Sequence, residues 1–238
     1  MTEETTETIL HVEEREGVAV IQMDDGKANA LGPAMIHALM DALDTAEAEG
    51  QPVVLTGREG RFSAGFDLKV MGSGPEPAKN LVRLGAELFL KVYLHPRPVV
   101  IAASGHAMAG GAVLLLCADE RFGAEGAFKI GLNEVAIGLP VPWFVTELAE
   151  ARLERRARIA STLFARIHDP EAAMDAGFLD RLVAPEALLD SAIETAALLA
   201  KLPAKSFAST KRSQRQPLVD RVSEGLEADL ERVVADLT

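Results

Sequence analysis

Two glycine-containing turns carry residue types that could bind a negative charge developing on oxygen. The first is segment 62–69, Phe-Ser-Ala-Gly-Phe-Asp-Leu-Lys, and the second is segment 105–111, Gly-His-Ala-Met-Ala-Gly-Gly. Each follows an apolar run typical of a buried strand, and the second opens a helix. Either turn alone is typical of close packing. Together, their small residues and backbone N–H groups predict two donors that could converge on one carbonyl oxygen.

Composition and charge limit the classes of partner. The 238 residues are 48% hydrophobic, which predicts one large domain with a sizeable core. A net charge of −12 argues against nucleic acid or an anionic membrane surface as the partner. The longest apolar stretch, 107–118, is shorter than the roughly 20 residues that a membrane span requires. The acidic, polar start of the chain has no signal-peptide pattern, so we expect a cytoplasmic location.

The chain has one cysteine, Cys117, inside an apolar run. A single cysteine excludes an internal disulfide and a multi-cysteine zinc site, and we expect no metal. We interpret Cys117 as a small buried hydrophobic residue rather than a catalytic thiol.

The sequence around the two turns alternates between segments typical of strands and segments typical of helices. These elements must position the turns. We predict an α/β core over residues 1–140, followed by a helical region over 141–238 within the same structural domain. We expect a mobile loop at 72–77 and a helix break at Pro217. The predicted strands are 9–12, 18–23, 53–56, 98–103, 120–123 and 127–130.

Seven segments carry recognisable motifs, namely 29–31, 55–57, 62–69, 98–103, 105–111, 117–119 and 172–183. In sequence and in order they resemble the enoyl-CoA hydratase/isomerase (crotonase) family. The resemblance covers essentially the whole chain. It implies a spiral of ββα units with a helical C-terminal region that forms a homotrimer or hexamer. It also implies an acyl-CoA thioester substrate, with coenzyme A as part of the substrate and no separate cofactor.

The same resemblance assigns catalytic roles. It places the oxyanion donors on the backbone N–H groups of Phe66 and Gly110. Hydratases of the family use two glutamates; their positions here hold Val113 and Glu134. An apolar residue in place of the first glutamate is similar to the 3,2-enoyl-CoA isomerase subgroup. Glu134 is therefore the predicted base, and an apolar pocket would raise its pKa towards neutrality.

The predicted reaction is isomerisation of 3-enoyl-CoA to 2-enoyl-CoA in fatty-acid metabolism. Two alternatives stay open: an enoyl-CoA hydratase of low or specialised activity, and a non-catalytic acyl-CoA-binding homologue. The resemblance also implies a set of coenzyme A contacts, namely Lys27, Ala28, Ala64, Asp67, Leu68 and Lys69.

Other polar residues have simpler interpretations. We favour a turn or helix-cap role for Asp67 and a packing role for His106. We expect His95 and His168 on the surface or in loops. A basic cluster near the C-terminus could reach coenzyme A phosphates, although a solvated helix face is favoured; it comprises Lys205, Lys211, Arg212 and Arg215. The side chain of Phe66 could narrow the acyl pocket.

Overall fold

The computed structural model describes residues 9–235. The acidic start of the chain, on which the expected location partly depends, lies outside the described residues. None of the helices between residues 9 and 235 has both the length and the apolar character needed to cross a bilayer.

Strands and helices alternate through the first part of the described chain, and helices dominate after it. The strands are β1 Leu10–Arg15, β2 Val18–Met23, β3 Ala30–Leu31, β4 Val53–Thr56, β5 Gly60–Ser63, β6 Gly65–Phe66, β7 Val99–Ala103, β8 Gly105–Met108, β9 Glu120–Ala124, β10 Ile130–Gly131 and β11 Arg181–Val183. The α-helices are α1 Pro33–Ala48, α2 Leu68–Met71, α3 Pro75–Leu94, α4 Gly110–Cys117, α5 Trp143–Arg152, α6 Arg158–Thr162, α7 Pro170–Ala176, α8 Leu188–Leu199 and α9 Ala204–Ala235. Short 3₁₀ turns occur at Val135–Ile137 and Pro185–Ala187.

A six-stranded sheet forms the centre, in the order β1-β2-β4-β7-β9-β11. Strand β1 is antiparallel to β2, and all other neighbouring pairs are parallel. β4 and β7 are buried along their whole lengths, as expected for parallel strands covered on both faces. Helix α8 packs against one of these faces.

A second, three-stranded parallel sheet has the order β10-β8-β5. Each of its strands directly follows a strand of the large sheet, because β5 follows β4, β8 follows β7 and β10 follows β9. The chain therefore repeats one unit, in which a strand enters the large sheet and the next enters the small one. The predicted α/β class is confirmed.

Helix α9 packs against α3 and α5. Phe144 and Leu218 from the C-terminal part belong to the same buried cluster as Ile21 and Leu115. The boundary drawn at residue 140 stays a prediction.

Three local predictions were wrong. The stretch 72–77 is not entirely a loop, because α3 begins at Pro75, where proline suits a first turn. The strand expected over 127–130 is limited to Ile130–Gly131. Pro217 lies inside α9 rather than at a break, since buried residues on both sides of it hold the helix against the core.

Candidate active site

Three of the predicted site residues follow the carboxyl ends of the small-sheet strands. Phe66 comes three residues after β5, Gly110 two after β8, and Glu134 three after β10. Parallel strands end at the same edge of a sheet, so this topology delivers all three to one place. All three residues line the same cavity.

The two glycine turns touch each other at Gly65 and Gly110. Gly65 has a φ of +85°, and a Cβ there would lie 2.7 Å from the Gly110 nitrogen and 2.8 Å from the Met108 carbonyl oxygen. Only glycine permits this approach. Gly110 is the first residue of α4, so its N–H has no acceptor within the helix. The contact brings the Phe66 segment beside a helix N-terminus that can donate to an oxyanion.

Ala109 holds an unusual backbone conformation directly before Gly110, with φ 48° and ψ −122°. A non-glycine residue in such a region costs about 1–3 kcal/mol and persists only where its surroundings enforce it. Here the Ala109 N–H donates to the Gly131 carbonyl at 2.9 Å, and the Ala109 carbonyl accepts from Val113 at 3.0 Å. Because the Ala109–Gly110 peptide is fixed on both sides, the direction of the Gly110 N–H is fixed as well.

Asn29 anchors the turn that carries Phe66. Its side-chain amide donates to the carbonyls of Met23 at 3.0 Å and Phe62 at 3.1 Å. The Ser63 hydroxyl donates to the Asn29 carbonyl at 2.8 Å and accepts from the Gly65 N–H at 3.2 Å. In the sequence, Asn29 stands out only as part of the motif segment 29–31. An asparagine between apolar residues, here in Ala28-Asn29-Ala30-Leu31, is the sequence signal that could have indicated this anchoring role.

Glu134 contributes a carboxyl group to the otherwise apolar lining of the cavity. Glu134 is 9% exposed, and its Oε2 has no hydrogen-bond partner among the described residues. Burial raises the pKa of this carboxyl to about 7. Val113 lines the same cavity from α4. A carboxyl with this pKa can both accept and donate a proton near neutral pH.

The Phe66 side chain forms one wall of the cavity. Its ring lies against Gly85 of α3, at a distance that leaves no room for a Cβ on that glycine. Its centroid is 6.0 Å from that of Phe89. The free space that remains in the cavity is about 30 Å³, enough for about one water molecule.

The residues predicted to contact coenzyme A lie in two adjoining segments. The Ala64 N–H donates to the Ala28 carbonyl at 2.9 Å, which joins the segments. Asp67 caps α2 by accepting from the Lys69 N–H at 2.8 Å, which confirms its cap role. Lys27, Leu68 and Lys69 are exposed. The coenzyme A contacts themselves stay predictions.

The basic cluster divides into a buried and an exposed pair. The carboxylate of Asp119 accepts from Lys211 at 2.7 Å and from Arg215 at 2.8 Å, and both cations are buried. The guanidinium of Arg215 also lies over the Tyr93 ring, 4.6 Å from its centroid. The favoured interpretation as a solvated face was therefore wrong for these two residues. Lys205 and Arg212 are exposed.

All three histidines singled out in the sequence pack against neighbouring residues. His106 accepts from the Lys129 N–H at 2.9 Å and meets Phe128 edge-on, consistent with packing. His95 and His168 were expected on the surface or in loops. Both lie in connections between elements, His95 directly after α3 and His168 between α6 and α7, but both are buried rather than on the surface. His168 hydrogen-bonds to the Ser161 hydroxyl at 3.1 Å.

Cys117 is fully buried, and burial raises the pKa of its thiol to about 12. This confirms its interpretation as a buried hydrophobic residue. Within residues 9–235, no cluster of three or more His, Cys, Asp or Glu side chains could hold a metal ion.

Comparison with known proteins identifies what the chain is similar to. A family model described as enoyl-CoA hydratase/isomerase matches residues 13–235. A crystal structure of an enoyl-CoA hydratase/isomerase family protein from Pseudomonas syringae is 42% identical, with a TM-score of 0.92, over 94% of this chain and 98% of that one. An enoyl-CoA hydratase structure from Mycobacterium ulcerans is 36% identical, with a TM-score of 0.88, over 97% and 100%. The human mitochondrial delta3-delta2-enoyl-CoA isomerase structure is 28% identical, with a TM-score of 0.91, over 96% and 91%. The predicted resemblance and the crotonase-type fold are confirmed.

Proposed function

The chain belongs to the enoyl-CoA hydratase/isomerase family, and on that basis we propose that it isomerises 3-enoyl-CoA to 2-enoyl-CoA in fatty-acid metabolism. One observation carries this proposal. Among the described residues that line the cavity, Glu134 is the only one with an ionisable side chain, and Val113 lines the same cavity. Isomerisation needs one base, which takes a proton from C2 and returns it to C4, whereas hydration also requires a positioned water.

The proposed reaction begins when the Glu134 carboxylate takes a proton from C2 of the substrate. The electrons of that C–H bond move towards the thioester, and the resulting dienolate oxygen accepts hydrogen bonds from the Phe66 and Gly110 N–H groups. Each such donor contributes about 3–4 kcal/mol in comparable enzymes. The protonated Glu134 then returns the proton to C4, which leaves the double bond between C2 and C3. Proton and electrons are conserved.

Purified protein mixed with 3-hexenoyl-CoA should develop the absorbance of a conjugated thioester. Glu134→Gln should lower kcat by about 10²–10⁴, because the amide cannot take the proton. The exposed Glu150→Gln on α5 is the matched control and should retain wild-type activity. Full turnover by Glu134→Gln would contradict the proposed base.

Hydration of 2-enoyl-CoA is the second candidate, favoured by the 36% identity to an enoyl-CoA hydratase. The free volume of about 30 Å³ in the cavity could also hold one water beside Glu134. Incubation with 2-hexenoyl-CoA separates the two functions, since a hydratase would remove conjugation at a rate comparable to isomerisation. Binding without turnover of either ester would instead support a non-catalytic acyl-CoA-binding protein.

Assembly into a homotrimer or hexamer and a cytoplasmic location also remain proposals.

A further inference from the structure

A second pocket lies along the first turns of α9, away from the cavity around Glu134. It has a volume of about 330 Å³ and is lined by residues at the start of α9 and by Asp119, which follows α4. Lys211 of this pocket and Val233 of the catalytic cavity are about six turns apart on α9, a separation of about 33 Å along a helix. The pocket is therefore separate from the proposed catalytic site.

The floor of the pocket carries more positive than negative charge. Lys211 and Arg215 line it, and the carboxylate of Asp119 accepts from them at 2.7 Å and 2.8 Å. Among the described residues that line the pocket, Asp119 is the only acidic one. Two buried cations thus share one carboxylate. The excess positive charge is costly to bury unless a further anion pairs with it.

The backbone that contacts this pair belongs to a third cation, Arg97. Its carbonyl accepts from Nζ of Lys211 at 3.4 Å, and its Nη2 donates to the Ala200 carbonyl at 3.3 Å. Nε of Arg97 is buried and has no hydrogen-bond partner among the described residues. Burial lowers the pKa of Lys211 to about 8, so this amine stays mostly protonated at neutral pH. The surroundings therefore add positive charge and supply no second counter-charge.

The rim of the pocket combines hydrogen-bond donors with an apolar surface. Ser206, Thr210 and Gln214 recur at every fourth residue of α9, so they form one row, and their side chains can donate hydrogen bonds. The apolar lining consists of Leu202, Pro203 and Phe207. A bare oxyanion would leave this apolar surface uncovered. A carboxylate that carries a short hydrocarbon chain would contact both the donors and the apolar residues.

We propose that this pocket binds a small carboxylic acid with a short apolar chain. Its carboxylate pairs with Lys211 and Arg215 and accepts a hydrogen bond from Thr210, and its chain lies against Phe207. The inference does not depend on the proposed function, because none of the described residues that line this pocket lines the cavity around Glu134.

Calorimetric titration with sodium hexanoate at neutral pH tests the inference, and we expect one saturable site per chain. Thr210 is exposed, so Thr210→Asp should fold normally while it places a competing carboxylate in the pocket. It should weaken hexanoate binding at least about tenfold, which corresponds to ~1.4 kcal/mol. Ser209→Asp is the matched control, since Ser209 is the neighbouring exposed residue of α9 and does not line the pocket. It adds the same charge and should change the affinity by less than about twofold, because solvent screens it.

Comparison of ligands keeps the test independent of the variants. Hexanol has the same chain without the charge and should not bind. Equal binding of hexanol and hexanoate would contradict the role of the cations, and tighter binding of inorganic phosphate would contradict the role of the apolar surface.

The inference is also wrong if hexanoate does not bind, or if it binds equally to the wild type and both aspartate variants, because it would then occupy another cavity. None of these measurements requires turnover of an enoyl ester. Failure of the isomerase proposal would appear only in the activity assay, so the two failures are distinguishable.

Discussion

Glu134 combines burial, an unpartnered carboxylate oxygen and a raised pKa of about 7. Only the ionised form can take a proton from C2. We therefore expect kcat/KM to rise with pH and to level off above about 7. A pH profile for 3-hexenoyl-CoA measures this directly. A profile that is flat between about pH 5 and 8 would assign the base to another group.

The same carboxyl should influence stability. Its folded-state pKa lies above the ordinary value of 4.5, so folding favours the protonated carboxyl. This contribution to stability is fully present below about pH 4.5 and is lost as the pH rises through about 7. Above that range the buried charge costs about 3 kcal/mol. Glu134→Gln should therefore raise the free energy of unfolding by up to ~3 kcal/mol at about pH 8 and change it little at about pH 4. Urea unfolding at both pH values, with Glu150→Gln as control, measures the difference.

Gly65 allows a test of the contact between the two turns. An added Cβ would lie 2.7 Å from the Gly110 nitrogen, so Gly65→Ala should displace a proposed donor and lower kcat by about 10²–10³. Gly60→Ala is the control. Gly60 also has a positive φ, of +72°, but a Cβ there would meet no atom within 4 Å. Equal losses in both variants would show that backbone strain, rather than the contact, is responsible.

At the residue scale, motifs in the sequence predicted Phe66, Gly110 and Glu134, and the structure brings them to one cavity. Their proposed roles await the experiments above. The burial of His95, His168, Lys211 and Arg215 could not be predicted, because it depends on which elements pack over them. Polar residues in a helical or loop-like sequence look alike whether a neighbouring element covers them or not.

At the scale of elements, Asp119 joins the end of α4 to α9. Its carboxylate accepts from Lys211 and Arg215, and also from the Val99 N–H at 2.8 Å. Asp119→Asn would leave two buried cations without their counter-charge. We expect it to lower the free energy of unfolding by about 3–5 kcal/mol. The exposed Asp175→Asn should change it by less than about 0.5 kcal/mol in the same denaturant titration.

Element types were predicted better than element boundaries. Apolar runs identified β4 and β7, because a buried parallel strand has a continuous signal. The start of α3 and the passage of α9 through Pro217 could not be predicted. In α9, packing of Leu218 and Val222 against the core overrides the local preference of proline, and local sequence does not record that packing.

At the scale of the whole molecule, an apolar patch lies on α6 and the turn after it. Ile159 is 57% exposed, Leu163 61% and Phe164 67%. Exposed apolar groups that lie together are typical of interaction surfaces, and the family resemblance implies a trimer or hexamer.

We therefore expect the protein to associate, and Phe164→Asp to shift it towards monomers in light-scattering measurements, because a charge would be buried in the interface. Leu198→Asp on α8, where the side chain is 63% exposed, should leave the mass unchanged. A monomeric wild type would contradict this expectation.

The single thiol of Cys117 can report how often the buried helix α4 opens. A pKa of about 12 and complete burial mean that the folded state should resist alkylation for as long as α4 stays covered. Every labelling event then reports an opening of helix α4, which begins at the proposed oxyanion donor Gly110 and ends at this cysteine. The rate at which a thiol reagent labels the protein thus measures the local opening of α4, without any engineered probe.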